Sequence, residues 1–500
     1  MASLEKYFEK FRKEIIGINA TFTSPYGEQK LIYADWIASG RLYGPIEQRI
    51  SNEIGAMVGN THSESSETGI AMTQAYHQAQ KIIKAHVNAN DDDVIIISGY
   101  GMTSCINKLQ RILGIRVPEQ AKKFCQFSET ARSKCPDNLK ELRPVVFLTH
   151  TEHHSNHTSW LETFADVVII EPNADMTVNP ESLRKELIKY EERSFKIGSF
   201  SACSNVTGYI PPYYELAKIM HENGGYCFVD FAASAPYYEI NMHPADPLMQ
   251  LDAIFFSPHK FLGGPGSAGV LIFNKALYKN EVPDNSGGGT VKWTNRWGQY
   301  SYITDIEAKE DGGTPGFLQT IRAALCIRLK EQMGTEHIHR REKELLDIAF
   351  PALLQIKGLH ILADNVRERL GIISFYIEGI HHNLLATVLN DRFGIQMRGG
   401  CSCAGTYGHY LLNVTVQVSK EITDLIDQGD LSLKPGWVRM SLHPTMTNDE
   451  LYYILDALCQ IVIHIDEWCM DYEYSKSTNE FYHKSHQCDA DEKYQKWFVL

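Results

Sequence analysis

The chain has 500 residues, of which 43% are apolar and 22% are charged, as is usual for soluble globular proteins. This length allows two or three domains and a large buried core. The net charge of −13 argues against non-specific nucleic-acid binding, and no apolar run approaches the roughly 20 residues of a membrane span.

The N-terminal residues MASLEKYFEKFRKEIIG carry apolar side chains at helical spacing and predict a helix. They lack the basic start and the apolar core of a secretion signal. The eleven cysteines show no disulfide-like regularity, which suits a reducing compartment. These features predict a cytoplasmic protein with neither a membrane nor a nucleic acid as partner.

Seven short apolar runs between residues 93 and 273 predict strands, and most are continuously apolar, as in strands buried on both faces. They are DVIIISG (93–99), PVVFLTH (144–150), VVIIEP (167–172), KIGSFSACS (196–204), GYCFVDF (225–231), AIFFSPHK (253–260) and AGVLIF (268–273). Helical patterns at 181–193 and 212–223 lie between them. Alternating strands and helices predict an α/β domain with a mainly parallel sheet, whose ligands bind at the carboxyl ends of the strands.

Polar side chains follow three of these strands, and each has a functional and a structural interpretation. Gly99 to Ser104 (GYGMTS) opens a helix and is either a phosphate cradle or an ordinary turn. His153, in EHHSN, either stacks on an aromatic cofactor and moves protons or is a surface loop residue. Asn205, in SNVTG, either donates to a cofactor oxygen or forms an Asx-turn. The pair His153 and His154 has no third ligand at helical spacing, so we expect no metal site.

The segment from Gly225 to Phe273 is the most informative part of the sequence. Asp230 closes the apolar run YCFVDF, where a carboxylate buried without a partner would be costly. Lys260 closes the next run, AIFFSPHK, directly before the glycine-rich turn GGPGSAG. A pyridoxal phosphate (PLP) enzyme needs both groups, because a lysine binds the cofactor as a Schiff base and an aspartate keeps the pyridine nitrogen protonated. The sequence therefore predicts a PLP enzyme.

The chain changes character after about residue 330. A long charged helix is expected over Ile321–Ile348, and the runs GLHIL, RLGIISFYIE and GIQMR predict a second, smaller α/β domain. The predicted organisation is an N-terminal segment (1–55) that packs with the small domain, a large PLP-binding domain (56–325), the small domain (326–470) and a tail (471–500). Polar segments at 116–143 and 470–500 are expected to be elaborations of this plan.

Two motifs of the small domain carry reactive or charged groups. The glycine-rich loop RGGCSCAG (398–405) holds Cys401 and Cys403, whose thiols are nucleophiles, inert groups or half of a metal site. Arg439, in WVRMSL, either clamps a substrate carboxylate or forms a structural ion pair.

In this order, the motifs resemble the class V aminotransferase family of PLP enzymes, especially its cysteine desulfurase and selenocysteine lyase branch. The resemblance covers roughly residues 30 to 460. It rests on YADWIASG, GNTHSESSETG, TEHHSNHTSW, SNVTG, VDFAASAP, FSPHKFLGGPGSAGVL, GGGT, DGGTP, RGGCSCAG and VRMSL. It implies the PLP-dependent transferase fold (fold type I), with a seven-stranded mainly parallel sheet and a smaller C-terminal domain.

The resemblance also implies roles for individual residues. The residues that would bind the cofactor are Met102, Thr103, His153, Asn205, Asp230, Ser257, His259, Lys260 and Thr314. Those that would bind the substrate are Asn60, His62, Arg398 and Arg439, and the catalytic residues would be His153, Lys260 and Cys403. Such enzymes are homodimers, in which Thr314 would reach the phosphate of the neighbouring subunit.

The chain departs from the desulfurase pattern at four places. Ala233 stands where a glutamine amide usually contacts the cofactor, and Tyr237 replaces a histidine. Met102 replaces the first threonine of the phosphate turn. Residues 406–435 form an extra stretch before Arg439, which could reshape the substrate pocket.

The resemblance favours C–S or C–Se cleavage of an amino acid, giving alanine and a persulfide on Cys403 that a sulfur-acceptor protein could take. The main alternative is an aminotransferase, epimerase or other PLP lyase in which Cys403 is incidental. A molybdenum cofactor sulfurase and a catalytically silent scaffold rank lower. The C-terminal barrel domain that is usual in the sulfurase is not seen in this sequence, and a silent scaffold would not need Lys260, Asp230 and His153.

Overall fold

The seven predicted strands form one sheet in the computed structural model, which describes residues 3–61, 64–124, 142–485 and 494–500. In chain order they are Asp93–Ser98, Val145–Leu148, Asp166–Ile169, Lys196–Ser201, Tyr226–Asp230, Ala253–Phe256 and Gly269–Asn274. Five of them run parallel, from Asp166–Ile169 at one edge to Ala253–Phe256. Gly269–Asn274 is antiparallel to both of its neighbours, Ala253–Phe256 and the edge strand Asp93–Ser98. The predicted mainly parallel α/β sheet is confirmed.

The apolar runs are continuous because both faces of this sheet are covered. Phe228 and Phe255 belong to one apolar cluster, while Val229 and Ile254, their neighbours along the strands, belong to another. Successive side chains of a strand point to opposite faces, so each face needs its own apolar set.

Helices cover both faces of the sheet and build the second domain. Their bounds are Leu4–Arg12, Gly44–Gln48, Glu67–His86, Met102–Ile112, Glu119–Phe124, His154–Leu161, Pro180–Lys189, Tyr213–Glu222, Ile306–Lys309, Phe317–Met333, Thr335–Leu354, His382–Phe393, Gly405–Leu411, Val416–Asp427 and Asn448–Trp468. The helical patterns at 181–193, 212–223 and the N-terminus are confirmed. None of the described helices is long and apolar enough to cross a membrane.

The single helix expected over Ile321–Ile348 is wrong, because two helices share that region. Phe317–Met333 ends at Gly334, whose φ of +76° lies in the left-handed region, and Thr335–Leu354 begins after it. Glycine adopts this conformation without the steric cost that a Cβ would bring, and it commonly ends helices for that reason.

A second, antiparallel sheet stands beside the first domain. Its strands, in spatial order, are Leu359–Ile361, Ile372–Ile377, Trp437–Ser441 and Arg398–Gly400. The run GIQMR, which predicts one strand, contributes to two strands in the structure. The first of them, Ile395–Gln396, pairs in parallel with Ile32–Tyr33 of the N-terminal segment. The N-terminal segment also contacts the four-stranded sheet, through a bridge between Asp35 and Ser441, although the domain boundaries remain predictions.

The two C-terminal elaborations contain regular structure. The segment 406–435 holds most of helix Gly405–Leu411 and all of Val416–Asp427. The predicted tail begins with a hairpin, Tyr472–Ser475 and Glu480–His483, which packs on helix His382–Phe393. Two other hairpins are Thr21–Ser24 with Gly27–Lys30, and Val291–Thr294 with Tyr300–Tyr302. Most of the segment 116–143 lies outside the described residues.

Candidate active site

A cavity lies at the carboxyl edge of the parallel strands, where the sequence predicts a ligand site. Ten predicted site residues line it: Met102, Thr103, His153, Asn205, Asp230, Ser257, His259, Lys260, Arg398 and Arg439. They come from seven separate segments, so the fold brings together what the sequence spreads over more than 330 residues.

Asp230 and Lys260 reach the cavity from neighbouring strands. Asp230 is the last residue of its strand, and Lys260 ends a single helical turn, Pro258–Lys260, after the next one. Burial raises the pKa of Asp230 to about 7, although the amide of Ala232, 2.8 Å from its Oδ1, and the charge of Lys260 oppose the shift. Burial likewise lowers the pKa of Lys260 to about 8. Both charged forms are therefore disfavoured here, as in sites adapted for acid–base chemistry.

Hydroxyls, an imidazole and a helix N-terminus surround one end of the cavity. Gly101 precedes helix Met102–Ile112, and the Met102 amide donates to Ser257 Oγ at 2.9 Å. Thr103 Oγ1 lies 2.7 Å from Ser155 Oγ. A Cβ on Gly101 would lie 2.9 Å from Ser257 Oγ, so a larger residue at this position would displace the Ser257 side chain. The arrangement is that of an anion site.

His153 stands over the cavity as a neutral imidazole. It caps helix His154–Leu161, and its Nδ1 accepts from the Ser155 amide at 3.1 Å. Burial and the nearby charge of Lys260 lower the pKa of His153 to about 3. With Nδ1 accepting, the proton of the ring belongs on Nε2.

Asn205 joins the cavity to the cysteine-bearing loop. Its Nδ2 donates to the carbonyl of Ser402 at 2.8 Å. Asn205 Oδ1 and Ser402 Oγ are buried and have no hydrogen-bond partner among the described residues. Unpaired buried polar atoms are costly, and both residues line the cavity, so a ligand could satisfy them.

Two arginines face each other on the second sheet. Arg398 and Arg439 are paired residues of adjacent strands, with Arg439 buried and Arg398 exposed. Arg439 Nη2 lies 2.7 Å from Asp35 Oδ1, and its Nη1 donates to the carbonyl of Asn205 at 3.3 Å. Burial lowers the pKa of Arg439, and Asp35 opposes this shift. Arg439 Nε has no hydrogen-bond partner among the described residues.

Three predicted site residues that the structure describes are not in the cavity lining. Cys403 is half-buried and follows Ser402, which does line the cavity. Asn60 and Thr314 are exposed and hydrogen-bonded to each other at 3.3 Å. His62 lies outside the described residues.

The sequence analysis missed several lining residues. They are Ile37, Ala38, Ser155, Ser201, Cys203, Ala232 and Ser402, while Ala233 was noted only as a departure from the desulfurase pattern. Cys203 and Ser201 end the strand-like run KIGSFSACS, so the strand-end rule that identified Asn205 could also have identified them. The buried carboxylate of Glu152 accepts from Ser201 Oγ at 2.7 Å and supports this strand end. Among the described residues, no cluster of three or more potential metal ligands occurs.

Comparisons with known proteins identify the family of the chain. The family model for class V aminotransferases matches residues 130–454. A probable cysteine desulfurase of Halalkalibacterium halodurans is 28% identical over 378 residues, which are 75% of this chain and 84% of that protein. One of Staphylococcus epidermidis is 28% identical over 345 residues, 69% of this chain and 76% of the relative.

Solved structures share the fold. The apo cysteine desulfurase of Thermococcus onnurineus NA1 superposes with a TM-score of 0.71 at 21% identity, covering 91% of this chain and 98% of that one. The cysteine desulfurase CsdA of Escherichia coli gives 0.68 at 21% identity, covering 93% and 99%. At these identities the likeness identifies the fold, and the predicted fold class is confirmed.

Proposed function

This chain belongs to the class V aminotransferase family, and on that premise we propose that it cleaves the carbon–sulfur bond of cysteine or a close analogue with PLP as cofactor. One observation carries the proposal. A single cavity gathers Lys260, Asp230 and Arg439, and the loop that bears Cys403 closes one side of it through Ser402. The names of the relatives, cysteine desulfurases, point to the same reaction.

The residues of the cavity fit PLP. The N-terminus of helix Met102–Ile112, with Thr103, Ser257 and His259, suits a phosphate group. The charge of Lys260 acts on buried Asp230, and a protonated pyridine nitrogen would stabilise the Asp230 carboxylate further. The unpaired Asn205 Oδ1 and Ser402 Oγ offer further polar contacts. Bound PLP supplies an electron sink that weakens the bonds at the substrate α-carbon.

Lys260 is the residue that would bind the cofactor and move the proton of the α-carbon. A lysine pKa of about 8 leaves an appreciable fraction of neutral amine at neutral pH, and only the neutral amine is a nucleophile or base. The neutral imidazole of His153 lines the same cavity. Its Nε2–H would donate a hydrogen bond to a bound ligand.

Cys403 would take the sulfur. Its thiolate attacks the substrate sulfur, so that a new S–S bond forms as the C–S bond breaks, and the electron pair of the broken bond stays on the carbon fragment. That fragment gains a proton and leaves as alanine, while Cys403 keeps the sulfur as a persulfide. Arg439 and Arg398 would hold the substrate carboxylate, with Asp35 orienting Arg439. Selenium would follow the same course.

A second reaction class has two observations in its favour. Cys403 is not among the lining residues, and Ala233 lines the cavity where desulfurases usually present a glutamine amide. A transaminase, epimerase or other lyase of this family would not need the thiol.

Other features belong to the same proposal. We propose a homodimer, in which Asn60 and Thr314 lie at the surface that the second subunit would cover. We also propose that a separate protein accepts the sulfur and that the protein is cytoplasmic. The division of the chain into four parts is likewise a proposal.

The deciding experiment measures absorbance of the purified protein with PLP, then alanine and sulfide after addition of L-cysteine and a thiol reductant, which reduces the persulfide and releases its outer sulfur as sulfide. A visible band with equal amounts of sulfide and alanine supports the proposal. The same band without sulfide would mean that the protein binds PLP but catalyses another amino-acid reaction of the family. No band after adding PLP would contradict the cofactor itself.

A further inference from the structure

The loop that bears Cys403 is held by the residue next to the cofactor histidine. The amide of His154 donates to the carbonyl of Cys403 at 2.8 Å. In return, the amide of Gly405 donates to Nε2 of His154 at 2.9 Å. His154 therefore forms a hydrogen bond with the residue on each side of Ala404, one through its backbone amide and one through its imidazole ring.

The loop needs such support because its conformation is unfavourable. Ser402 and Cys403 have φ angles of +51° and +57°, in the left-handed region that residues other than glycine, asparagine and aspartate rarely occupy. Two consecutive residues of this kind persist only where surrounding contacts hold them. Besides His154, the contact between Asn205 Nδ2 and the Ser402 carbonyl is such a tether.

The charge state of His154 suits the contact. Nε2 can accept from Gly405 only while it carries no proton. Burial and the nearby charge of Lys434 lower the pKa of His154, which keeps the ring neutral. His153 and His157 are the other titratable neighbours on its own segment, and each of them also has a lowered pKa.

From these contacts we infer that His154 is a positioning residue, which fixes the Cys403 thiol beside the cavity by holding Cys403 and Gly405. The inference deepens the proposed function and rests on it for its consequence in catalysis. The contact itself does not depend on the reaction. His153 would contact the cofactor, and His154 would hold the loop that bears Cys403. Two adjacent residues would thus connect the cofactor site with the cysteine loop.

The test measures how fast iodoacetamide alkylates Cys403 in the protein without substrate, resolved from Cys401 by mass spectrometry of the peptides. We expect His154→Ala to raise this rate about fivefold or more, the factor that loss of one hydrogen bond gives. His154→Gln should stay near the wild-type rate, because its amide oxygen can reach the Gly405 amide. His157→Ala is the matched control, since His157 lies one turn along the same helix and contacts Thr406 Oγ1 at 3.3 Å.

A His154→Ala rate within twofold of the wild type, or an equal rise in His157→Ala, would overturn the inference. If His154→Ala does not fold, hydrogen exchange of the Gly405 amide in the wild type decides, because rapid exchange at that amide contradicts the contact. Sulfide and alanine are assayed separately with cysteine. Faster alkylation of His154→Ala without any sulfide from the wild type would refute the proposed function and leave the loop contact standing.

Discussion

Asp230 gives the sharpest test of the cavity, because its substitution should change stability and cofactor affinity in opposite directions. Its pKa is raised from 3.8 to about 7, mainly by burial. This difference in pKa corresponds to about 4 kcal/mol, by which ionised Asp230 destabilises the folded protein without cofactor. Asp230→Asn removes this charge, and its amide oxygen can still accept from the Ala232 amide.

The sign of the effect fixes its pH dependence. The carboxyl is protonated in both states below the unfolded pKa, so the cost is absent at pH values under about 4 and complete above about 7. The apo variant should therefore gain stability over the wild type as pH rises through this window. The gain has an upper limit of about 4 kcal/mol, since Lys260 loses an attractive neighbour in the variant.

Affinity for PLP should fall in the same variant. A neutral amide cannot balance a protonated ring nitrogen, and hydrogen bonds to charged groups contribute about 1.5–3 kcal/mol. This predicts roughly a tenfold to hundredfold weaker binding.

Thermal unfolding of the apo proteins at pH 5 and pH 8, together with PLP titration followed by absorbance, checks both effects. Asp252→Asn is a matched control, since Asp252 is also buried but pairs with His221 Nε2 at 2.8 Å and with the Cys227 amide at 2.7 Å. This control should lose stability. If apo Asp230→Asn is no more stable relative to wild type at pH 8 than at pH 5, or binds PLP with unchanged affinity, the reasoning on Asp230 is refuted.

Three further predictions concern the same cavity. Cys403→Ser should lower sulfide release at least a hundredfold while the PLP absorbance band remains, and Cys401→Ser should keep most activity; equal losses in both variants would contradict the role of Cys403. Asp35→Asn should raise KM for the amino acid about tenfold, with kcat less affected, because Arg439 loses a charge-assisted hydrogen bond; steady-state kinetics with unchanged KM would argue against a carboxylate site at Arg439. The rate of PLP incorporation into the apo protein should rise about tenfold per pH unit below pH 8 and level off above it, because only the neutral amine of Lys260 reacts. Stopped-flow absorbance measures this rate. A rate independent of pH would contradict the lowered pKa of Lys260.

The sheet was predictable from sequence because its strands are buried on both faces. Runs such as AIFFS and VVFL have no alternative that satisfies so many apolar side chains. The long helix of the second domain was mispredicted because the charged pattern continues through Gly334, and the left-handed turn there depends on one residue. A single glycine that ends a helix is a local signal. A helical pattern that continues over many residues on both sides of it outweighs that signal in a prediction from sequence.

The candidate site was predictable to the extent that its residues stand at strand ends. Asp230 and Lys260 follow apolar runs, and the topology of a parallel sheet brings such positions to one edge. The partner of Arg439 could not be found in this way, because Asp35 lies 404 positions away in a segment with no comparable pattern. Likewise, the hydrogen bond between the Gly405 amide and His154 joins residues 251 positions apart. Because every residue except proline has a backbone amide, the residue type at position 405 does not predict this contact.

The charges of the cavity provide a physical reason for its choice of ligand. Burial drives Asp230 towards its protonated form, and it drives Lys260 and His153 towards their neutral forms. A ligand with a cationic ring reverses the first of these tendencies, because it stabilises the carboxylate of Asp230. The neutral amine of Lys260 is at the same time the form that can bond to an aldehyde carbon. A molecule that combines an aldehyde, a basic aromatic nitrogen and a phosphate group satisfies the aspartate, the lysine and the helix N-terminus together, whereas a simple anion or amino acid would leave at least one of them unpaired.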